Sequence, residues 1–98
     1  MKRSFTLRID AGHPAFDGHF PGTPVLPGVV LLERVLDGIR ASSTQGSPRW
    51  QVQAAKFLRV VSPGEELLIE HEAGPDGSIR WWVHAGDEPV ANGVLKPP

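Results

Sequence analysis

Ninety-eight residues with 40% apolar and 21% charged content describe a single soluble globular domain, spanning residues 1–98. The formal net charge of −1 excludes a global electrostatic pull toward nucleic acid or an anionic membrane, and the lack of cysteine excludes a disulfide framework and thiolate metal sites. No apolar run approaches the roughly 20 residues that span a bilayer, and the charged start runs into a strand-like pattern instead of a signal-peptide core, so a cytoplasmic protein is expected.

Phe5, Leu7 and Ile9 alternate with Thr6, Arg8 and Asp10, which predicts a half-buried strand. Residues 11–27 contain Pro14, Pro21, Pro24 and Pro27, so no regular helix forms there, and each proline stiffens the loop. Pro27 suits the first position of a helix. Val29, Leu32, Val35, Leu36 and Ile39 then recur at spacings of three and four. Val30 and Leu31 fill the other sides of the first turn, so a buried helix is expected, ending near Arg40 or Ala41. Ser42 to Arg49 is a loop by composition. Trp50 to Val61 reads as a long strand with Val52, Ala54 and Phe57 inward and a bulge near Ala55. Glu66 to Ala73, Ile79 to Ala85 and Pro89 to Leu95 read as further strands, separated by turns at 62–65, 74–77 and 86–88. Three such turns predict sequential antiparallel hairpins. The sum is an α+β domain: one long helix beside a curved antiparallel sheet.

Two side chains point to chemistry. His19 carries an imidazole, whose ordinary pKa of about 6.5 suits proton transfer near neutrality, and the tight backbone of Gly18 and Phe20-Pro21-Gly22 holds it. The alternative is a histidine that caps a turn. Glu33 follows four apolar residues; a buried carboxylate must pair, stay protonated or face a cavity. Asp37 one turn on would raise one of the two pKa values, and a neutral Glu33 could donate a proton. The alternative is a solvent-facing stripe of Glu33, Asp37 and Arg40. Gly28, at the expected helix start, offers backbone N–H groups to an anion or polarised carbonyl.

The run His19-Phe20-Pro21-Gly22, Pro24-Val25, Pro27-Gly28-Val29 and Glu33 resembles the 3-hydroxyacyl-(acyl-carrier-protein) dehydratases of the hot-dog fold. Phe16-Asp17-Gly18 and the segment from Lys56-Phe57 to Val61-Ser62-Pro63-Gly64-Glu65 extend the resemblance to about half the chain. The resemblance implies a curved antiparallel sheet wrapped around a buried helix. It also implies loss of water from a 3-hydroxyacyl thioester, with acyl carrier protein as carrier, to give a trans-2-enoyl thioester. His19 matches the catalytic base and Glu33 the catalytic acid. Glutamate there looks like the branch that dehydrates without isomerising. Gly28 matches the glycine whose N–H holds the thioester carbonyl, and Phe20, Pro27 and Val29 would line the substrate site.

The resemblance further implies a homodimer or higher even oligomer with a continuous sheet, each site taking the histidine from one chain and the carboxylate from the other. The chain begins at about the family's second strand, which predicts a short, N-terminally truncated member. Asp37 stands where the family usually has glutamine, with Arg34 and Arg40 in reach to neutralise it. No cofactor and no metal are expected, because no histidines show ligand spacing beside carboxylates. His13 could approach the site from its loop, whereas His71 and His84 read as structural or exposed. Trp50, Trp81 and Trp82 read as core or edge cover. Arg49, Lys56 and Arg59 read as a solvated face that could also dock an acidic carrier. Other readings are a hot-dog acyl thioesterase and a non-catalytic acyl-binding or scaffold subunit.

Overall fold

The computed structural model describes residues 2–10, 12, 26–42 and 50–96. The elements in chain order are β1 (Lys2–Arg8), α1 (Gly28–Ala41), β2 (Gln51–Phe57), β3 (Glu66–Ala73), β4 (Ile79–Ala85) and β5 (Glu88–Lys96). All five strands form one antiparallel sheet in the order β1-β3-β4-β5-β2. The α+β arrangement expected from the alternation is therefore present.

Period-two patterning puts Leu67, Ile69 and His71 of β3, Ile79, Trp81 and Val83 of β4, and Ala91, Gly93 and Leu95 of β5 on the helix side of the sheet, all buried. Leu31, Val35 and Ile39, spaced by four, are the helix residues that join them in the core. Trp81 is fully buried, and its ring has room because Gly93 lies opposite: a Cβ at Gly93 would overlap the indole. The β4–β5 hairpin closes through Gly86 at φ +60°, a conformation open to glycine at little cost. The other sheet face is polar: the Lys2 ammonium lies 5.0 Å from the Trp82 ring centroid, and His84 Nε2 is 3.4 Å from a Glu70 carboxylate oxygen.

Three expectations need correction. The turn at 62–65 does not close a hairpin. β2 pairs with β5 and β3 with β1, so the chain from β2 to β3 crosses the end of the sheet. Backbone hydrogen bonds fix that crossing: Leu58 N–H to the Val90 carbonyl at 2.8 Å, and Gly64 N–H to the Ile9 carbonyl at 2.9 Å. β2 also ends at Phe57, and its irregularity falls between Val52 and Ala54. That slip places Val52, Ala55 and Phe57 opposite Leu95, Gly93 and Ala91 on the helix side and turns Ala54 away. Lastly, α1 is buried on one face only. Val30, Leu32 and Leu36 are half-buried and Val29 is 63% exposed, because a single sheet layer covers one side of a helix.

The far end of α1 is locked to β1. The Phe5 ring lies where a Cβ of Gly38 would be, and it meets the His71 ring edge-on at 5.9 Å between centroids. The Arg3 guanidinium donates to the Ser42 carbonyl. The Ser42 hydroxyl lies 3.3 Å from His71 Nε2 and donates to the Ile39 carbonyl at 3.0 Å. Burial, helped by the Arg3 charge, holds the His71 pKa below its ordinary value.

Candidate active site at the start of the helix

The near end of α1 is built differently. Pro27 is the residue before the helix, extended at φ −60° and ψ 139°, and not its first helical position. Its carbonyl is the first acceptor, taken by the N–H groups of Val30 at 3.0 Å and Leu31 at 3.2 Å. The N–H groups of Gly28 and Val29 therefore stand ahead of the helix ladder. Among the described residues no side chain caps this end, and the first turn itself holds no acidic residue to offset the positive end of the helix dipole. Leu26 fixes the entry: its N–H donates to the Val61 carbonyl at 2.8 Å, and the two residues form an isolated antiparallel bridge.

That bridge lays the crossing segment beside the helix start and leaves a groove of about 220 Å³. Leu26, Gly28 and Leu31 form one wall, and Phe57, Leu58 and Val60 belong to the other. The lining is apolar except for Arg59, whose charge is matched within the chain. Its guanidinium binds the Glu65 carboxylate and makes an ion-pair contact with Glu88 through Nε, out of line for a hydrogen bond. The hydrogen bond from Arg59, aided by the Ser62 N–H, holds the Glu65 carboxyl below its ordinary pKa against the opposing effect of burial. Arg59 is thus a brace of the crossing segment, whereas Lys56 is exposed on β2.

Of the residues singled out from sequence, Pro27, Gly28, Val29 and Glu33 fall within one and a half turns of the helix start. Glu33 is exposed, as are Arg34, Asp37 and Arg40; the Arg40 guanidinium lies 3.7 Å from the Asp37 carboxylate. The expected burial of Glu33 does not occur within one chain, since it projects from the face of α1 that the sheet leaves uncovered. His13, His19, Phe20 and Arg49 lie outside the described residues. Among the described residues, no three His, Asp or Glu side chains cluster as metal ligands would, and no helix is long and apolar enough to cross a membrane. Sequence reasoning missed the groove wall. Its signal was the Lys56-to-Glu65 segment, read as a strand and turn but not as the neighbour of residues 26–31.

Comparisons with known proteins bear on the fold and the family. In solved structures, the chain resembles the dehydratase heterocomplex ApeI:P from Xenorhabdus doucetiae with a TM-score of 0.79 and 25% identity, over 98% of this chain and 86% of that one. It also shares the hot-dog fold of an (R)-hydratase from A. caviae, at a TM-score of 0.70 and 19% identity over 100% of this chain and 95% of that one. Among curated sequences it is 37% identical over 73 residues to the 3-hydroxyacyl-(acyl-carrier-protein) dehydratase FabZ of Vibrio cholerae, covering 65% of this chain and 48% of that protein. It is 33% identical over 99 residues to FabZ of Pelotomaculum thermopropionicum, covering 89% of this chain and 70% of that protein. The chain thus spans about half the length of several curated relatives it matches. A family model described as ApeI dehydratase matches residues 2–94, and the chain belongs to this ApeI-like family of FabZ-related dehydratases.

Proposed function

We propose that this domain dehydrates a 3-hydroxyacyl thioester, carried on acyl carrier protein in the cytoplasm, to the trans-2-enoyl thioester. The observation that carries the reading is the helix start: in a chain of a dehydratase family, the Gly28 and Val29 N–H groups, which stand ahead of the helix ladder, lie beside an apolar groove, one turn from a carboxylate. In this mechanism His19 takes the α-proton. Glu33 gives a proton to the departing hydroxyl, directly or through water, so that water leaves as the double bond forms. The Gly28 N–H, backed by the helix dipole, stabilises the enolate-like oxygen. A well-placed acid or base contributes about 10²–10⁴-fold, and an oxyanion donor about 10²–10³-fold. In this reading Phe20, Pro27 and Val29 are the substrate-binding residues beside Gly28.

The site is completed by a second subunit in a homodimer or higher even oligomer. Every residue of β2 is exposed, and Val52, Phe57, Leu58 and Val60 put large apolar side chains on or just beyond that strand. A copy of the chain pairing there would extend the sheet and bring a histidine loop toward the exposed Glu33. A second reading takes the relative described as a heterocomplex as its guide: the partner is a different subunit, and this chain alone is inactive.

One assay separates these readings. A short enoyl thioester is supplied and loss of conjugated-enoyl absorbance is followed as water adds, with thiol release read in parallel. Hydration that falls by at least about 10²-fold in His19→Ala and in Glu33→Gln is the expected result. Thiol release without hydration would mark a thioesterase, and silence in both channels would mark a scaffold or a subunit that needs its partner. A stable monomer at micromolar concentration would overturn the shared site.

A further inference from the structure

We propose that Phe57 is a positioning residue for the Gly28 amide: its ring covers the start of α1, keeps water off the N–H there and crowds any side chain placed at residue 28. This rests on the reading of Gly28 as donor to the thioester carbonyl. A Cβ built on Gly28 would lie 3.2, 3.3 and 3.4 Å from Cζ, Cε2 and Cε1 of Phe57, so the ring meets the glycine tip first. In a helix both the Cα–Cβ direction and the N–H groups point toward the N-terminus. The ring therefore stands at the end of the helix that carries the Gly28 and Val29 N–H groups.

The root of the ring is fixed on both sides. Phe57 is the last residue of β2, paired with Ala91, and the next residue donates its N–H to the Val90 carbonyl at 2.8 Å. Phe57 is nevertheless 44% exposed, with its ring tip toward the glycine. A ring so held presents an apolar surface that cannot compete for the donor, unlike a water molecule. A donor kept from water and fixed in advance interacts more strongly with developing charge and does not reorganise during reaction.

Amide hydrogen exchange at Gly28, read by ¹⁵N NMR on the whole chain, tests the cover directly. Steady-state hydration of the short enoyl thioester tests its consequence. In Phe57→Ala, exchange at Gly28 should rise about tenfold relative to Val35 in the core, as expected for an amide opened to solvent. Its kcat should fall about tenfold with KM within about twofold, because the lost contribution acts on developing charge. Phe57→Tyr, which keeps the ring, should recover most of both effects. Gly28→Ala should cost less kcat and less thermal stability in the Phe57→Ala background than in the wild type, since the two side chains contend for one space. Phe57→Leu serves the same comparisons where the alanine variant does not fold. Unchanged exchange at Gly28 in a folded Phe57 variant, or strictly additive effects of the two substitutions, would overturn the proposal. A wild type without hydratase activity would instead remove the reading that this chain dehydrates on its own, leaving the exchange and thermal comparisons to decide the cover.

Discussion

The two edge strands of this sheet are made in opposite ways. β1 carries Lys2, Arg3 and Arg8, each engaged: Lys2 with Glu70 at 3.9 Å, Arg8 with Glu66 at 3.1 Å, and Arg3 with the Ser42 carbonyl. Its apolar residues Phe5 and Leu7 pack on the core, and Ile9 just beyond it is buried. β2 is exposed along its whole length, carries Val52 and Phe57 on the helix side, and leads into exposed Leu58 and Val60. Charges on an edge discourage further pairing, while an apolar edge invites it. One sheet thus has an edge whose charges are paired and an edge whose apolar side chains are exposed. The helix repeats the contrast, locked to β1 at its end and bordered at its start by the groove that Phe57 of β2 lines.

The strongest way to break this contrast is to loosen the closed side. Phe5→Ala removes the ring that fills the space beside Gly38 and touches His71. Loss of about 3 kcal/mol of folding stability is expected, the low end for a phenylalanine truncation because Phe5 is only half-buried. Urea unfolding would read it. A loss below about 0.5 kcal/mol, the range of surface substitutions, would mean that β1 does not lock the helix.

On the open side, Val52→Lys should act on assembly instead. Val52 is 43% exposed, so its cost to a single folded chain should stay near the surface range of about 0.5 kcal/mol. A lysine buried on pairing should weaken self-association at least about tenfold, or 1.4 kcal/mol. Sedimentation across a concentration series measures the two states, and unchanged association would move the interface away from β2.

The contrast between edges was only partly legible in the sequence. Alternation placed β3 and β4 at their observed bounds, and β5 within a residue of its own, because one face of each is buried and the side chains record it. β2 was placed too long and its inward residues were partly misassigned. A strand without burial on either face leaves no clean alternation, and the slip between Val52 and Ala54 shifts what pattern there is. The order of the strands was illegible for a related reason. A Pro-Gly turn looks the same whether it closes a hairpin or sends the chain across the end of a sheet, and long-range bonds such as Gly64 to Ile9 decide which. The candidate site residues Gly28 and Glu33 stood out through the spacing of a short motif. The contact of Gly28 with Phe57 did not, since it joins residues 29 positions apart in sequence.

A smaller effect sharpens the closed side through pH. His71 is held below its ordinary value near 6.5, so the native state favours the neutral ring. As pH falls through 6.5 the unfolded chain takes up the proton first, and stability contributed by the neutral ring is lost progressively toward the lower native pKa. Above 6.5 that contribution is complete. Unfolding midpoints measured from pH 7.5 down to 5 should fall more steeply in the wild type than in His71→Gln, which cannot titrate. Parallel curves would show that the helix end is not coupled to this histidine.

The smallest expected effect concerns Arg8. Its pair with Glu66 is exposed on both sides, with 62% and 64% of the two side chains accessible, so solvent and salt screen it. Such pairs contribute about 0.2–1 kcal/mol, and Arg8→Ala should fall at the lower end of that range. The value of the charge is expected to lie elsewhere. Arg8 pairs across from Glu66 at the end of the β1 edge, where an alanine leaves the backbone groups as they were but removes the ion that disfavours a second chain. Arg8→Ala should therefore leave the unfolding midpoint nearly unchanged while raising light scattering at high protein concentration. The same substitution made with Val52→Lys should scatter no less, because the two edges would then be altered independently. Scattering that vanishes in the double variant would show that both effects act at β2, and that β1 needs no charge to end the sheet.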